Sequence, residues 1–327
     1  MKKWHYPFLA FLIIGTILIL HGNKPVYRTN QGQVFGTTYK ITYLYNEDLQ
    51  ADIKASLAKV DSALSMFNRS SVIARINRNE DVEPDSMFLH IFRLAMKVSE
   101  MTDGAFDITV APAVNAWGFG FSKSDDVTES VLDSLREIVG YTHVSERDGR
   151  IVKDDARVMM DCSAIAKGFG CDVVAQMLRS KGIEDYMVEI GGEIVLGGRN
   201  PKGNDWSIGV NKPQDDTLAI TSNLQTVLKI TDCGMATSGN YRNFYYKDGR
   251  KVAHTIDPKS CMPVSHSLLS ATVIAGDCAT ADALATSFMV MGTEKALEFL
   301  KEHSELRAYL IVSDQNGELQ SIDLTEH

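Results

Sequence analysis

The sequence predicts an α+β fold: mostly antiparallel sheet, with helices packed on its faces. Three observations predict it. Asp148-Gly149, Asp248-Gly249 and Asn316-Gly317 each sit between alternating apolar and polar runs, the pattern of tight hairpins and so of antiparallel pairing. Helical periodicity is confined to a few separate segments, as expected for helices segregated on sheet faces. No Gly-rich fingerprint links a strand to a helix, which disfavours a parallel dinucleotide-binding sheet.

In chain order, Gln33 to Tyr45 alternates and reads as a strand, with Gly36 allowing a close backbone approach. Leu49, Ile53, Leu57, Val60, Leu64 and Phe67 repeat at helical spacing across Asp48 to Phe67, and a second helix covers Ser86 to Met101. A helix near Glu129 to Val139 is followed by a hairpin at Asp148-Gly149, whose second strand leads into Val158 to Asp161. Asp161 to Gly182 opens a helix ended by its glycine, and strands follow at Tyr186 to Ile190, Glu193 to Leu196, Trp206 to Val210 and Leu269 to Ala275. Asp277 to Gly292 is a helix with one buried stripe, and another runs from Glu294 to His303.

With 44% hydrophobic and 23% charged residues in 327, the chain has a globular balance and enough length for a sizeable core. Its net charge of -9 argues against a nucleic-acid partner. A phosphate-bearing substrate would need local positive charge from a metal, a placed cation or a helix N-terminus. Lys2 and Lys3 precede an uncharged run from Trp4 to Leu20, an export signal. The lack of a small-x-small cleavage site favours a signal anchor over a cleaved peptide. Residues 1–25 are therefore expected as the signal segment and 26–327 as the folded domain. The stretch LILHG offers no Cys for lipidation. Cys162, Cys171, Cys233, Cys261 and Cys278 occur singly and read as core residues rather than a disulfide framework or zinc site.

The candidate chemistry lies in four stretches. Asp282 and Thr286, four apart on a helix, place a carboxylate and a hydroxyl on one face amid apolar residues, a pair suited to magnesium or calcium if other oxygens complete the shell. Lys167 and Gly168, in the first turns of their helix, bring a cation and backbone N–H groups to where an anion would bind. Phe106 and Trp117, in a segment dense in Gly, Pro and aromatics, are placed either to stack on a planar ring or to fill core. His254 and Asp257 lie three apart near a strand end.

Taken together, VFGTTYKITY, FNRSSVIARIN, TDGAFDITVAPAVNAWGFG, DCSAIAKGFGCD, EIGGEIVLGG, ATSGNYRNFYY, HTIDP and DCATADALATSFMVMG resemble, in sequence and in order, the ApbE family of FAD:protein FMN transferases. The resemblance implies a domain related to the T-fold that takes FAD as substrate with magnesium. It implies joining of FMN to a Thr or Ser hydroxyl of an exported or membrane-bound redox protein, such as a subunit of the sodium-translocating NADH:quinone reductase or a related electron-transport complex. By position, Asp282, Thr286 and the main-chain oxygen of Ala164 would hold the metal. Phe35, Ala105, Phe106, Asp107, Asp161, Lys167 and the segment His254, Thr255 and Ile256 would line the FAD site, Phe35 standing where the family often has Met. His254 is the candidate base, with Asp282 a possible partner in that role. The expected location is the periplasmic side of the inner membrane. Two alternatives share these residues: an FAD pyrophosphatase giving FMN and AMP, and a non-catalytic exported FAD-binding protein. One departure bears on structure: after HTIDP, Cys261 stands where the family pattern has Gly, so a positive φ there would strain the chain.

Overall fold

A computed structural model describes residues 11, 13, 25–120, 127–212, 224–240, 244–247 and 250–325. Apart from Phe11 and Ile13, the apolar N-terminal run lies outside these residues, as does the Asp248-Gly249 turn. Among the described residues, no helix is long and apolar enough to cross a membrane.

The chain opens with an antiparallel pair, β1 (Val26–Val34) and β2 (Thr37–Tyr45). The single strand expected over Gln33 to Tyr45 is instead two strands, turning at Phe35 (φ 50°) and Gly36 (φ 73°). Positive φ at both turn residues gives the twist a two-residue hairpin needs, and the space around Gly36 is open, so it makes a turn and no close approach. β1 escaped the sequence reading because it is an edge strand, polar and half exposed along its length. Helix α1 (Gln50–Leu64) follows, its Ile53, Leu57, Val60 and Leu64 buried at the predicted spacing. Then come a short α2 (Val72–Asn77), whose Ser71 cap accepts from the Ala74 N–H, and α3 (Ser86–Met101), capped in the same way by Asp85 on the Phe88 N–H. The segment after α3 holds a 3₁₀ turn at Ile108–Val110 and α4 (Ala111–Ala116). After α5 (Glu129–Arg136), β3 (Val144–Arg147) and β4 (Arg150–Lys153) form the predicted hairpin.

Val158 to Asp161 is not a strand. It is held without a neighbouring strand: the Asn77 amide donates to the Met160 carbonyl and accepts from the Met160 N–H, both at 2.8 Å, and the Asp161 N–H donates to the Ile108 carbonyl at 2.6 Å. The following helix, α6 (Ala166–Ser180), starts five residues after Asp161 and leaves 161–165 as a loop. β5 (Tyr186–Ile190) and β6 (Glu193–Gly197) pair next, then β7 (Trp206–Asn211) with β8 (Leu224–Ile230). β9 (Cys233–Gly239), β10 (Phe244–Lys247), β11 (Arg250–Ala253) and the two-residue β12 (Ile256–Asp257) and β13 (Met262–Pro263) lead to β14 (Leu268–Ala275). Helices α7 (Cys278–Met291) and α8 (Thr293–Glu302) and strands β15 (Arg307–Ser313) and β16 (Leu319–Leu324) complete the fold.

Eight strands form one sheet in the order β1-β2-β5-β6-β9-β14-β15-β16, every neighbouring pair antiparallel. Alternation along the strands splits the core in two. Ala271, Val273 and Ala275 of β14 join the helices α3 and α7 on one face, while Ile274 joins Trp206, Ile208 and Val210 of the β7–β8 hairpin on the other. Helix α7 is buried on nearly every side rather than along one stripe, with Ala281, Ala283, Ala285 and Phe288 all without exposure. A helix rich in Ala can be surrounded in this way because its neighbours come close to its backbone. All five cysteines are free and buried.

Candidate active site

The site forms where α6, α7 and β9 meet, and two glycines decide how closely they do. A Cβ on Gly168 of α6 would lie 2.3 Å from the Cys278 carbonyl oxygen and 2.9 Å from the Cβ of Asp282. One on Gly234 of β9 would lie 2.3 Å from the Cys278 nitrogen, so the first turn of α7 is held between two bare backbones. The α7 N-terminus is satisfied twice over: Asp277 caps it on the Thr280 N–H, and Asp172 of α6 accepts from the N–H groups of Cys278 (3.0 Å) and Ala279 (2.8 Å).

The Gly168 N–H, one of the donors that the start of α6 leaves without an intrahelical partner, goes to the Asp282 carboxylate at 3.0 Å. Among the described residues no donor reaches the Ala164 carbonyl. Ala164, Asp282 and Thr286 line the same cavity, of about 440 Å³, a size usual for small-molecule sites. Thr286 exchanges a 3.1 Å hydrogen bond with Ser238 of β9. The donor set is therefore a carbonyl, a carboxylate and a hydroxyl, all hard oxygens. The carbonyl has no other partner, so these residues fit a magnesium ion whose remaining positions are filled by water or phosphate oxygens.

A charged pair flanks this set. Lys167 donates to Glu193 Oε1, at the start of β6, and Glu193 is only 3% exposed with its second oxygen unpartnered. Burial raises the Asp282 carboxyl, opposed by Lys167 and the Gly168 N–H. The Glu193 carboxyl is likewise raised, by burial first and by Asp282 second. Burial would pull the Lys167 ammonium down, but the charges of Asp282 and Glu193 outweigh it and its pKa rises. Burial raises both carboxyls and Asp282 raises that of Glu193 further, a repulsion that a divalent cation entering the cavity would relieve.

The facing wall comes from the other motifs. Ala105, Phe106 and Asp107 line the cavity, with Asp107 capping the 3₁₀ turn through the Thr109 N–H and hydroxyl at 2.7 and 2.6 Å. Burial pushes the carboxyls of Asp107 and Asp161 up, against the pull of their bonds to Thr109 and Ser163. His254, Thr255 and Ile256 line it from the β11–β12 link; Thr255 donates to the Asn240 side chain at 2.6 Å, and His254 stands edge-on to the Phe119 ring.

Eleven of the twelve residues that the family resemblance assigned to the site line one cavity, Phe35 being the exception. Its ring packs over Gly170 of α6 and is not among the side chains lining the cavity. Trp117 is core: its indole donates to the Cys261 carbonyl at 2.8 Å, which leaves Phe106 and Phe119 as the inner aromatic walls. Sequence reasoning missed Glu193, Ser238 and Phe67 as cavity residues. Phe67, 76% exposed at the rim, was counted on a helical stripe that ends three residues earlier. The turn signal in Asn68 to Ser71 was the clue that it stands outside the helix.

The ApbE family pattern matches residues 35–310. The chain belongs to the ApbE family. Relatives within it include the FAD:protein FMN transferases of Vibrio cholerae, 36% identical over 97% of this chain and 96% of that protein, and of Haemophilus influenzae, 36% identical over 88% and 86%. Solved ApbE structures superpose on it: the flavin transferase of Vibrio cholerae with a TM-score of 0.82 (35% identity, covering 91% of this chain and 97% of that one), and the apo flavinyl transferase of Pseudomonas stutzeri with 0.81 (29% identity, 92% and 95%).

Proposed function

We propose that this protein is an FAD:protein FMN transferase that works with magnesium on a Thr or Ser hydroxyl. The transferase activity is supported by relatives of that name aligned over nearly the whole chain. The magnesium reading is carried by one observation: Ala164, Asp282 and Thr286 line one cavity, and among the described residues no donor reaches the Ala164 carbonyl. Ala164, Asp282 and Thr286 would hold the ion, which would neutralise the pyrophosphate and stabilise its leaving oxygen.

The chain's own residues supply the rest. Lys167 adds positive charge at the N-terminus of α6, and Phe106, Phe119 and Phe67 offer apolar surface for a flavin or adenine ring. The acceptor oxygen attacks the phosphorus of the FMN half and the bond to the AMP oxygen breaks, so the products are the phosphoester and AMP. His254, on the cavity wall, takes the hydroxyl proton, a task suited to imidazole near neutral pH. Asp282, bound to the Gly168 N–H and committed to the metal, serves better as ligand than as base. The uncharged N-terminal run supports export, with the site on the periplasmic side of the inner membrane and a redox-complex subunit as acceptor.

The test is to mix the protein with FAD, magnesium and candidate acceptor domains and weigh the acceptor. An FMN-sized addition that needs magnesium and is lost in Asp282→Asn supports the reading. Release of free FMN with no adduct on any acceptor would make the protein a pyrophosphatase instead. His254→Ala is expected to slow transfer far more than it weakens FAD binding; equal losses would remove His254 as the base.

A further inference from the structure

We infer that Glu193 is a positioning residue: it anchors the Lys167 ammonium and so keeps it from neutralising Asp282, leaving that carboxylate open to the metal. The inference rests on the magnesium reading above. Lys167 faces two buried carboxylates across the same cavity, and Asp282 is near enough for its charge to act strongly on the ammonium. Yet the ion pair forms with Glu193, and none links Lys167 to Asp282 among the described residues. The backbone fixes this choice. Glu193 follows the turn at Gly191 and Gly192 (φ 64° and 108°) and begins β6, and its carbonyl accepts from the Cys171 thiol of α6 at 3.2 Å. Its side chain therefore starts from a rigid point beneath α6. Its second oxygen has no partner, so among the described residues Lys167 is the buried carboxylate's one oppositely charged partner, and removing either would leave the other exposed to Asp282 alone.

Without the charge at Glu193, the ammonium has one anion left in reach. A cation beside a buried carboxylate holds it with a preference of tenfold or more, and a metal would have to displace that cation before binding. The decisive measurement is metal binding by the full-length, FAD-free protein, with manganese(II) as probe and free ion followed by electron paramagnetic resonance. Glu193→Gln is expected to weaken binding about tenfold, and adding Lys167→Met to it to restore affinity to within a few-fold of Lys167→Met alone. Unchanged affinity in Glu193→Gln overturns the inference. So does a double variant as weak as Glu193→Gln, which would make Glu193 a ligand in its own right. Wild-type protein that binds no manganese defeats the metal reading itself, a separate result. Thermal unfolding checks each variant, and Glu193→Met serves as the second variant should Glu193→Gln fail to fold.

Discussion

Replacing Gly168 with alanine tests whether the close contact of α6 with α7 builds the site. The added methyl would sit 2.3 Å from the Cys278 carbonyl oxygen and 2.9 Å from the Asp282 Cβ, roughly 1 Å short of ordinary contact against backbone that cannot rotate away. Overpacking of this kind costs about 3 kcal/mol, and the better helix propensity of alanine returns about 1. The net loss of about 2 kcal/mol lowers the melting temperature of a chain this long by about 3 °C. Activity should suffer more. Moving Asp282 by roughly 1 Å breaks its bond to the Gly168 N–H and misplaces a metal ligand, a displacement that costs about 100-fold in rate. Gly234→Ala is the control, since it pushes on the same turn at the Cys278 nitrogen without touching Asp282. It should lose comparable stability and less activity. The assays are thermal unfolding and the rate of FMN addition read by mass. A Gly168→Ala protein with wild-type melting and a rate within twofold would refute the argument.

Three further outcomes follow from the same packing. Burial pushes the Asp172 carboxyl up to about 7, against its two N–H donors, while the unfolded value is near 4. The folded state then holds the extra proton between those values, so this group's contribution is full below about pH 4 and is lost as pH rises through about 7. Asp172→Asn should flatten that part of the stability profile in denaturant titrations. Cys261 is fully buried with φ 56°, so Cys261→Gly should be about 1 kcal/mol more stable than Cys261→Ala, the two losing the same thiol but only glycine relaxing the backbone. Phe67→Ala should raise the KM for FAD about fivefold with little change in kcat, if the rim ring stacks on the ligand at about 1 kcal/mol.

The sequence alone carried the fold class and most element positions, and it named residues that the fold gathers around one cavity. Hairpin turns and helical spacing are local properties, so α1, α3 and the β3–β4 hairpin could be read directly. The positive φ at Cys261 was foreseeable too, because a missing glycine is visible in a motif. What failed were signals whose meaning depends on a partner. The edge strand β1 lacks an apolar face, and Val158 to Asp161 is held by the Asn77 side chain and by the Ile108 carbonyl rather than by a strand.

Only the tertiary structure could show that the Gly168 N–H at the start of α6 is taken by a carboxylate 114 residues along the chain, or that Lys167 pairs with Glu193 rather than with Asp282. The first follows from how near the α6 and α7 backbones approach, a distance set by the absence of a side chain at Gly168, which a residue pattern records as an ordinary glycine. The second follows from where the start of β6 places Glu193.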